Sequence, residues 1–400
     1  MASLKTLNVA AMLALPLFSA AGYYSTWGLS QRTGFFDSFS QVSEADPVLL
    51  PGTQEPVRTS YTGNAAIDDF LTTLTLMFWP CFDGKWPALS LHSFHFATQF
   101  LAVWLLMEVE ARRLGNRWRL VSLTPLFGIL AQAFAYANTH PWYLLLHLFT
   151  SPTTLSPGFK SPQPASHNLL VSPSSLAALP LSFTISYLIP AIFIALPSPS
   201  VTSFSTHQAV IATWQVFPLV ILVTQFLLST LLAPLLRPDT KYSSSAARNF
   251  RCLSGLRYVY AFAVVCSAVP HIAALTLSLS TILFPSIFRR DIVAALHPAR
   301  VFYPTSPFST VPVPDVGEGF LHFLHWDEYI GGLAVLLWAA VLYRNAHAGR
   351  AAWGGWLPLL VKTAGLLAVV GPSSTTVALI WARDEMVLGD VEEGEYRKNL

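Results

Sequence analysis

Long apolar runs recur along this 400-residue chain, and they constrain its fold more than any other feature. A helix that crosses a bilayer needs about 20 mostly apolar residues, because its backbone polar groups must be hydrogen-bonded within the segment. Segments of this kind are 7–24, 66–82, 90–110, 119–137, 169–197, 209–234, 256–284, 328–345 and 356–382. The sequence therefore predicts an all-α fold, a polytopic membrane helical bundle.

The positions of the basic loops help to estimate how many times the chain crosses the membrane. Loops 112–119, 237–257 and 344–350 are rich in Arg and Lys, which mark the cytoplasmic side of a membrane protein. The first two loops can share a side only if an even number of crossings separates them, whereas the long runs alone give an odd number. The short apolar piece 141–150 supplies a further crossing. We therefore expect about nine or ten transmembrane helices.

Little of the chain is left for a soluble domain. Charged residues make up 11% of it, whereas about 25% is typical of a soluble protein. We expect 1–400 to form a single membrane-embedded domain, with non-membrane loops at 26–65 and 285–325 and a charged tail at 383–400. The net charge of +2 does not favour a nucleic-acid partner. Membrane lipid and a lipophilic small molecule are the expected partners.

The segment 90–110 carries a polar stripe along one face. Its members lie within about 60° of one another on a helical wheel and are His92, His95, Gln99 and Glu110. Ionisable groups inside a membrane are costly and mark function by default. Glu110 either pairs with Arg113 three residues on or acts in catalysis. The histidines either form hydrogen bonds between helices or contribute to a site.

Three further polar residues lie at the ends of predicted spans or in the short piece. Asp83, beside Gly84, is either a turn residue or a carboxylate at the mouth of a cavity. Asp327 lies where a helix enters the bilayer, as an interfacial capping acid or a catalytic one. His147 belongs to the short apolar piece, which we expect to be broken, so its side chain is expected to line a cavity.

The last span contains Gly371-Pro372, which should break or kink the helix. Polar residues follow this break and are Trp381, Arg383, Asp384 and Glu385. They are either charges at the membrane edge or part of a functional constellation.

Absent motifs narrow the chemistry. The carboxylate clusters DDxxD, NDxxDxxxD and DxDD do not occur, and the HxxH pairs His92/His95 and His322/His325 are too few for a membrane di-iron site. We expect no metal and no cofactor. A carboxyl in an apolar site can stay protonated and act as a general acid, and aromatic faces can stabilise a carbocation. The inventory suits proton-initiated chemistry on a lipophilic substrate, and it suits a proton-coupled transporter equally well.

A series of short motifs, taken in order, resembles a known family. The motifs are Asp83-Gly84, Glu110-Ala-Arg-Arg113-Leu-Gly115-Asn116, His147-Leu148, Trp326-Asp327, Gly371-Pro372 and Trp381-Ala-Arg383-Asp384-Glu385. This series resembles fungal integral-membrane proteins of secondary metabolism that include terpene cyclases of the ascofuranone and ascochlorin (meroterpenoid) type. The resemblance runs from Tyr61 to about Leu388.

The resemblance implies cyclisation of a prenyl chain, often terminally epoxidised and attached to an aromatic or polyketide head, without a cofactor. It also implies residence in the endoplasmic reticulum. Asp83, Glu110 and Asp327 match recurrent acidic positions of the family, and the pair Asp384 and Glu385 matches its terminal acids.

A terpene cyclase is therefore the function we expect, with Asp83, Glu110 or Asp327 as the proton donor, tuned by His147 or His95. Candidates for substrate binding at the cavity wall are Trp79, Trp86, Trp142, Tyr143, Trp326 and Trp381, together with His95 and the charged residues Arg383, Asp384 and Glu385. The aromatic residues can equally form an interfacial belt. The competing functions are a transporter or exporter of a secondary metabolite and a non-catalytic membrane scaffold.

Overall fold

The structure, a computed structural model, describes residues 2–154, 165–236, 244–347 and 356–398. Within these ranges the regular structure is helical, apart from one isolated β-bridge between Leu49 and Pro56. The α-helices in chain order are α1 Ala2–Tyr23, α2 Leu29–Arg32, α3 Phe35–Ser43, α4 Ala65–Phe78, α5 Pro87–Ala111, α6 Thr124–Phe134, α7 Tyr136–Thr150, α8 Ala165–Leu169, α9 Pro173–Phe183, α10 Ile189–Ile194, α11 Phe204–Gln215, α12 Phe217–Leu232, α13 Ser245–Leu283, α14 Arg290–Ala295, α15 Pro298–Val301, α16 Val316–His347 and α17 Trp356–Lys398. The predicted all-α bundle is confirmed.

Some predicted stretches fall partly outside these ranges. Residues 237–243 and 348–350 of the predicted basic loops, and the last two residues of the charged tail, lie outside the described residues.

The described part of the chain contains six helices long and apolar enough to cross a membrane. They are Asn8–Arg32, Pro87–Ala111, Ala165–Ile194, Ser245–Leu283, Val316–His347 and Pro358–Gly389. A seventh span results if α11 and α12, which meet at a 70° bend, count as one.

This number is lower than the nine or ten predicted, because some apolar runs fold as short helices. The run 66–82 ends as a helix at Phe78 and continues as a 3₁₀ turn containing Pro80. The runs at 119–137 and 141–150 give α6 and α7, of 11 and 15 residues. At 1.5 Å per residue neither reaches across about 30 Å of hydrocarbon.

Helix α5 runs through the middle of the bundle. It packs against α13, α16 and α17, and most of its side chains are buried all round. Side chains on the outer faces of α12 and α13 are apolar and exposed, among them Phe226, Leu231, Val265 and Ile282. A continuous outer apolar surface of this kind is what a lipid-facing bundle presents.

Helix α17 is interrupted where the sequence predicted. Gly371 has φ 85° and ψ 170°, a conformation that interrupts the helix immediately before Pro372. Left-handed backbone of this kind is accessible to glycine and strained for other residues. An added Cβ at Gly371 would also lie 2.8 Å from the ring of His271 on α13.

Helix α16 is longer than the predicted span, since it begins at Val316 rather than near residue 328. The sequence after Pro314 contains no proline until beyond the helix, and its first turns are buried. Glycines bring α16 close to aromatic rings on its neighbours. An added Cβ would lie within 2.4 Å of the facing ring at Gly317 (Trp86), Gly319 (Phe35) and Gly331 (Tyr136).

The two predicted loops contain ordered structure. Segment 26–65 includes α2 and α3, and 285–325 includes α14, α15 and the start of α16. The second segment folds back on the bundle through side-chain hydrogen bonds. Ser278 donates to the carbonyl of Leu296 at 2.7 Å, and His325 and Trp326 contact the carbonyls of Val301 and Thr305 at 2.7 and 2.9 Å.

Candidate active site

An aromatic cavity of about 320 Å³ lies between α4, α5, α16 and the junction of α6 with α7. This volume falls in the range of about 300–1,000 Å³ that small-molecule sites occupy. Aromatic side chains form much of its wall and are Trp27, Phe70, Phe78, Phe82, Phe96, Phe100, Tyr136, Tyr187, Trp214, Phe320 and Phe323. Such a wall can bury a lipophilic chain and present π-faces to a cation.

Asp327 contributes the single carboxyl group among the residues that line this cavity. Its side chain is 5% exposed, and its Oδ1 accepts a hydrogen bond from the backbone N–H of Ala137 at 2.7 Å. That N–H belongs to the first turn of α7, where the helix offers unpaired donors and the positive end of its dipole. A carboxylate left after proton donation would therefore be stabilised there.

The local sequence explains how Asp327 meets α7. Ala135 has φ 75°, unusual for a residue other than glycine, and it separates α6 from α7. This sharp change of direction aims the start of α7 at the acid. A non-glycine residue in this region is strained, and strained backbone is concentrated at functional sites.

Helical spacing builds the rest of the wall. Phe320, Phe323 and Asp327 lie at positions i, i+3 and i+7 of α16, so they share one face. Phe96 and Phe100 lie at i and i+4 of α5 and face the same cavity. The wall could have been found from this spacing of phenylalanines around an acid.

Glu328, the residue after Asp327, belongs to a different environment. Its oxygens lie 2.9 Å from Nδ1 of His95 and 3.4 Å from Nε2 of His92 on α5. Nε2 of His95 lies 2.9 Å from Nδ1 of His271 on α13. Within the described part of the chain, no group of three or more His, Cys, Asp or Glu side chains has the geometry to hold a metal ion.

Glu110 lies at the other end of α5 in a fully buried ion cluster. Its Oε1 is 2.8 Å from Arg113 and 2.7 Å from Arg383. Asp384 completes the cluster at 2.6 Å from Arg113 and 2.8 Å from Arg383. The predicted i,i+3 pairing of Glu110 with Arg113 is thus present, and α17 adds a second pair that balances the charge.

His147 joins this ion cluster, where it is held as a neutral ring. Its Nδ1 accepts the indole N–H of Trp338 at 3.1 Å, and since indole only donates, Nδ1 carries no proton. Nε2 then donates to Glu110 at 3.2 Å. A space of about 10 Å³ adjoins Arg383, enough for roughly one water and far too small for a prenyl chain.

Asp83 lies in the turn before α5, outside the wall of the aromatic cavity. Its Oδ1 accepts the backbone N–H of Lys85 at 2.9 Å. Burial raises the pKa of the Asp83 carboxyl to about 6. The cavity instead receives its neighbours Cys81 and Phe82.

The aromatic residues that the sequence suggested for a cavity wall do not line this cavity. Trp86 and Trp326 donate their indole N–H groups to Asp315 and Thr305 in loops, whereas Trp142 and Trp381 donate theirs to Ser19 and Glu385 within helices. Trp142 is moreover 51% exposed. A buried indole needs a hydrogen-bond acceptor, whereas seven of the eleven aromatic residues that line the cavity are phenylalanines, which need none.

Three other predicted residues are also away from the wall. Trp79 packs on His207, and the hydroxyl of Tyr143 donates to the carbonyl of Val121 at 3.2 Å. Glu385 forms a partly exposed ion pair with Arg257 at 2.7 Å. The structure thus brings together Glu110, His147, Arg383 and Asp384 at one end of the bundle and leaves Asp327 at the other.

Comparison with known proteins gives a consistent picture. The family model described as the CtvD domain matches residues 10–388. The chain is 29% identical over 367 residues to terpene cyclase penA of Penicillium crustosum, covering 92% of this chain and 94% of the relative. It is 29% identical over 393 residues to terpene cyclase ascI of Acremonium egyptiacum, covering 97% and 94%.

Terpene cyclase janA of Penicillium janthinellum is 30% identical over 380 residues, with 93% of each chain covered. No solved structure matches this chain.

Proposed function

Because this chain belongs to the CtvD domain family, we propose that it is a membrane terpene cyclase whose aromatic cavity holds a prenyl or epoxy-prenyl chain for protonation by Asp327. The relatives that carry names are terpene cyclases, which favours this function over the transporter expected as the alternative. The observation that carries the residue assignment is the single carboxyl of Asp327 among the aromatic lining residues.

The chemistry follows from the geometry of the cavity. The carboxyl of Asp327 donates its proton to the epoxide oxygen or to a terminal alkene carbon, which leaves a carbocation on the chain. The alkenes of the chain attack this cation in turn, and each attack forms one ring bond. The facing rings of Phe96, Phe100, Phe320 and Phe323 stabilise the positive charge while water is excluded. Loss of a proton from carbon ends the cascade, so the product is an isomer of the substrate.

The ion cluster around Glu110 supports a structural role in this proposal. Both of its carboxylates contact arginine, and arginine does not give up its proton in proteins. A carboxylate so paired cannot readily supply a proton to a substrate. The adjoining space also holds no room for one.

The substrate class and location are also proposed. A prenyl chain attached to an aromatic or polyketide head would partition into the bilayer and reach the cavity from lipid, as in meroterpenoid pathways. Residence in the endoplasmic reticulum follows from the same expectation. A fluorescent fusion that localises to another membrane would contradict it.

A product assay tests the activity. Microsomes from a heterologous host expressing this chain are incubated with a panel of prenylated and epoxy-prenylated aromatic compounds, and products are separated by mass spectrometry. We expect a new product of unchanged mass that is lost in Asp327→Asn and retained in Asp83→Asn, a matched carboxyl-to-amide change outside the cavity wall.

Two results would contradict the proposal. An Asp327→Asn variant that still makes the isomer would exclude Asp327 as the donor. Abundant wild-type protein that yields no isomer from any substrate, but accumulates one of them in sealed vesicles, would favour transport.

A further inference from the structure

Behind the cavity lies a chain of buried titratable groups that the cyclisation step does not use. Glu328 follows Asp327 directly in sequence, yet it contacts His92 and His95 rather than the cavity. Neither ring nitrogen of His92 has a hydrogen-bond partner within the described residues, although the ring is fully buried. Buried polar atoms without a partner are costly and call for an explanation.

His325 is the next member of this series of buried titratable groups, on the side away from Glu328. The ring centroids of His92 and His325 are 4.4 Å apart. Nε2 of His325 lies 2.7 Å from the carbonyl of Val301, so this nitrogen carries a proton, while Nδ1 has no partner in the described part of the structure. One nitrogen of His325 is therefore fixed, and the other is free to gain and lose a proton.

His325 also reaches an outer pocket. A second cavity of about 270 Å³ lies beneath the segment that follows α15, and both His322 and His325 line it. His322 is partly exposed, with Nε2 at 2.8 Å from Thr305 and 3.0 Å from Glu318. The other lining residues of this pocket include the polar or charged residues Arg300, Thr305, Ser306 and Glu318.

We propose that His322, His325, His92 and Glu328 conduct protons from the outer pocket to Asp327 and so reload the acid after each turnover. This inference rests on the proposed function of Asp327. It assigns the four residues as positioning and proton-transfer groups that act through Asp327 and do not touch the substrate.

The proton balance is simple. Cyclisation transfers the proton of Asp327 to carbon or oxygen of the substrate and leaves a carboxylate. The cascade releases a different proton from carbon, and this proton passes to solvent. One proton from solvent passes from His322 to Nδ1 of His325, then to His92, then to Glu328 and finally to Asp327, with water bridging the buried atoms that have no protein partner. Each of these groups ends as it began, only bonds to hydrogen change among them, and the proton taken up from solvent equals the proton returned to it.

Other charged and titratable groups face this path. Arg300 contacts Glu318 at the outer pocket, His95 and His271 adjoin Glu328, and Tyr329 packs on His92. Arg300 raises the local positive potential, so Glu318 opposite it keeps the pocket from repelling protons. His95 and His271 form a side branch that holds Glu328 in place.

The first test measures proton exchange without a substrate. Purified enzyme in nanodiscs is transferred to D₂O, and the carboxyl band of Asp327, assigned by its absence in Asp327→Asn, is followed by difference infrared spectroscopy. Glu328→Gln and His325→Ala should slow the shift of this band about tenfold or more. Imidazole should restore the rate in His325→Ala and leave Glu328→Gln slow.

The matched control is His207→Ala. His207 is a buried histidine that packs on Trp79 and lies outside the path. Its exchange rate should equal that of the wild type. Wild-type exchange rates in both path variants would overturn the proposal, and so would equal slowing in the control.

The second test separates the path from the chemistry. With a substrate that the wild type converts, Glu328→Gln should complete the first turnover at the normal rate and then turn over about tenfold or more slowly. The first-turnover amplitude counts folded enzyme, so loss of folding does not imitate the effect. A first turnover slowed as much as the later ones would overturn the proposal, whereas a normal first turnover in Asp327→Asn would instead overturn the proposed function.

Discussion

Two buried carboxyls lie near opposite ends of α5, and they are held in opposite ways. Glu110 contacts two arginines, a histidine and the hydroxyl of Thr153. Asp327, about 20 Å away by the rise from Phe96 to Glu110, accepts the backbone N–H of Ala137 at the start of α7 and faces the aromatic cavity. The carboxylate of Glu110 is held by charged partners, whereas the carboxyl of Asp327 lies between a backbone N–H donor and an apolar cavity.

The difference in partners suits one carboxyl to stabilising the fold and the other to transferring a proton. A buried ion pair contributes little when formed but is expensive to break, since one charge is left unpaired. An acid that must give up and regain a proton needs few fixed partners. The Glu110 cluster joins α5 to α17, and to α13 through the hydroxyl of Tyr260. The comparison supports the proposal that this cluster stabilises the fold and that Asp327 donates the proton.

The largest effect should come from Asp327→Asn. The amide oxygen of asparagine can still accept the N–H of Ala137, so the melting temperature should match the wild type. Turnover should fall about 100- to 10,000-fold, because no general acid remains. Product formation and thermal unfolding of the same detergent-solubilised sample measure both. A large loss of stability in Asp327→Asn would show that Asp327, like Glu110, stabilises the fold, and would contradict the comparison.

Arg113→Met should have the reverse signature. It leaves the two carboxylates of Glu110 and Asp384 to share one arginine, Arg383, and breaking a buried pair in this way costs about 3–5 kcal/mol. Denaturant unfolding in detergent should show this loss. The matched control Arg257→Met removes a partly exposed pair with Glu385 and should cost about 1 kcal/mol or less. Equal losses in the two variants would argue against the buried cluster as a structural element.

Gly371→Ala should destabilise α17, the helix that runs from the region of Asp327 to the ion cluster around Glu110. The break in α17 lies against His271 on the Asp327 side, and the same helix carries Arg383 to the ion cluster. Strained backbone costs about 1–3 kcal/mol. Gly365→Ala, in the same helix with no neighbour within 4 Å of an added Cβ, should be neutral or stabilise by about 0.5–1 kcal/mol. Thermal unfolding of the two variants distinguishes them. A Gly371→Ala variant as stable as the wild type would contradict the requirement for glycine at the break in α17.

Asp83 should give the smallest effect, and one that depends on pH. Its folded pKa of about 6 exceeds the ordinary 3.8, so the folded state holds a proton that the unfolded state has lost in this window. Stability should fall as pH rises from about 4 to 6, by about 1 kcal/mol or less because the site is partly exposed to solvent. Asp83→Asn should flatten this dependence. Unfolding midpoints measured across that range check it, and an unchanged slope would contradict it.

The sequence predicted those features that depend on neighbouring residues. The polar face of α5, the Glu110–Arg113 pair and the break at Gly371 all follow from helical spacing or backbone chemistry, and the structure contains each of them.

Features that join distant segments could not be predicted. Arg113 meets Asp384 across 271 residues, and Asp327 meets Ala137 across 190. The tryptophans that the sequence suggested for a cavity wall do not line the aromatic cavity, where most of the aromatic lining residues are phenylalanines. The number of spans was overestimated since apolar length alone does not reveal a turn such as that at Pro80.

The close packing of α16 has a consequence for how the protein tolerates change. Asp327 and Glu328 are consecutive, so turning the helix about its axis by roughly 100° would bring Glu328 to the position of Asp327 and carry Asp327 away from the cavity. The contacts of Gly317, Gly319 and Gly331 with aromatic rings fix that angle along the helix. Inserting or deleting a single residue between these glycines would misalign both carboxyls at once, even though composition and hydropathy would hardly change. We therefore expect insertions and deletions to be tolerated in the loops of this protein but not within this part of α16.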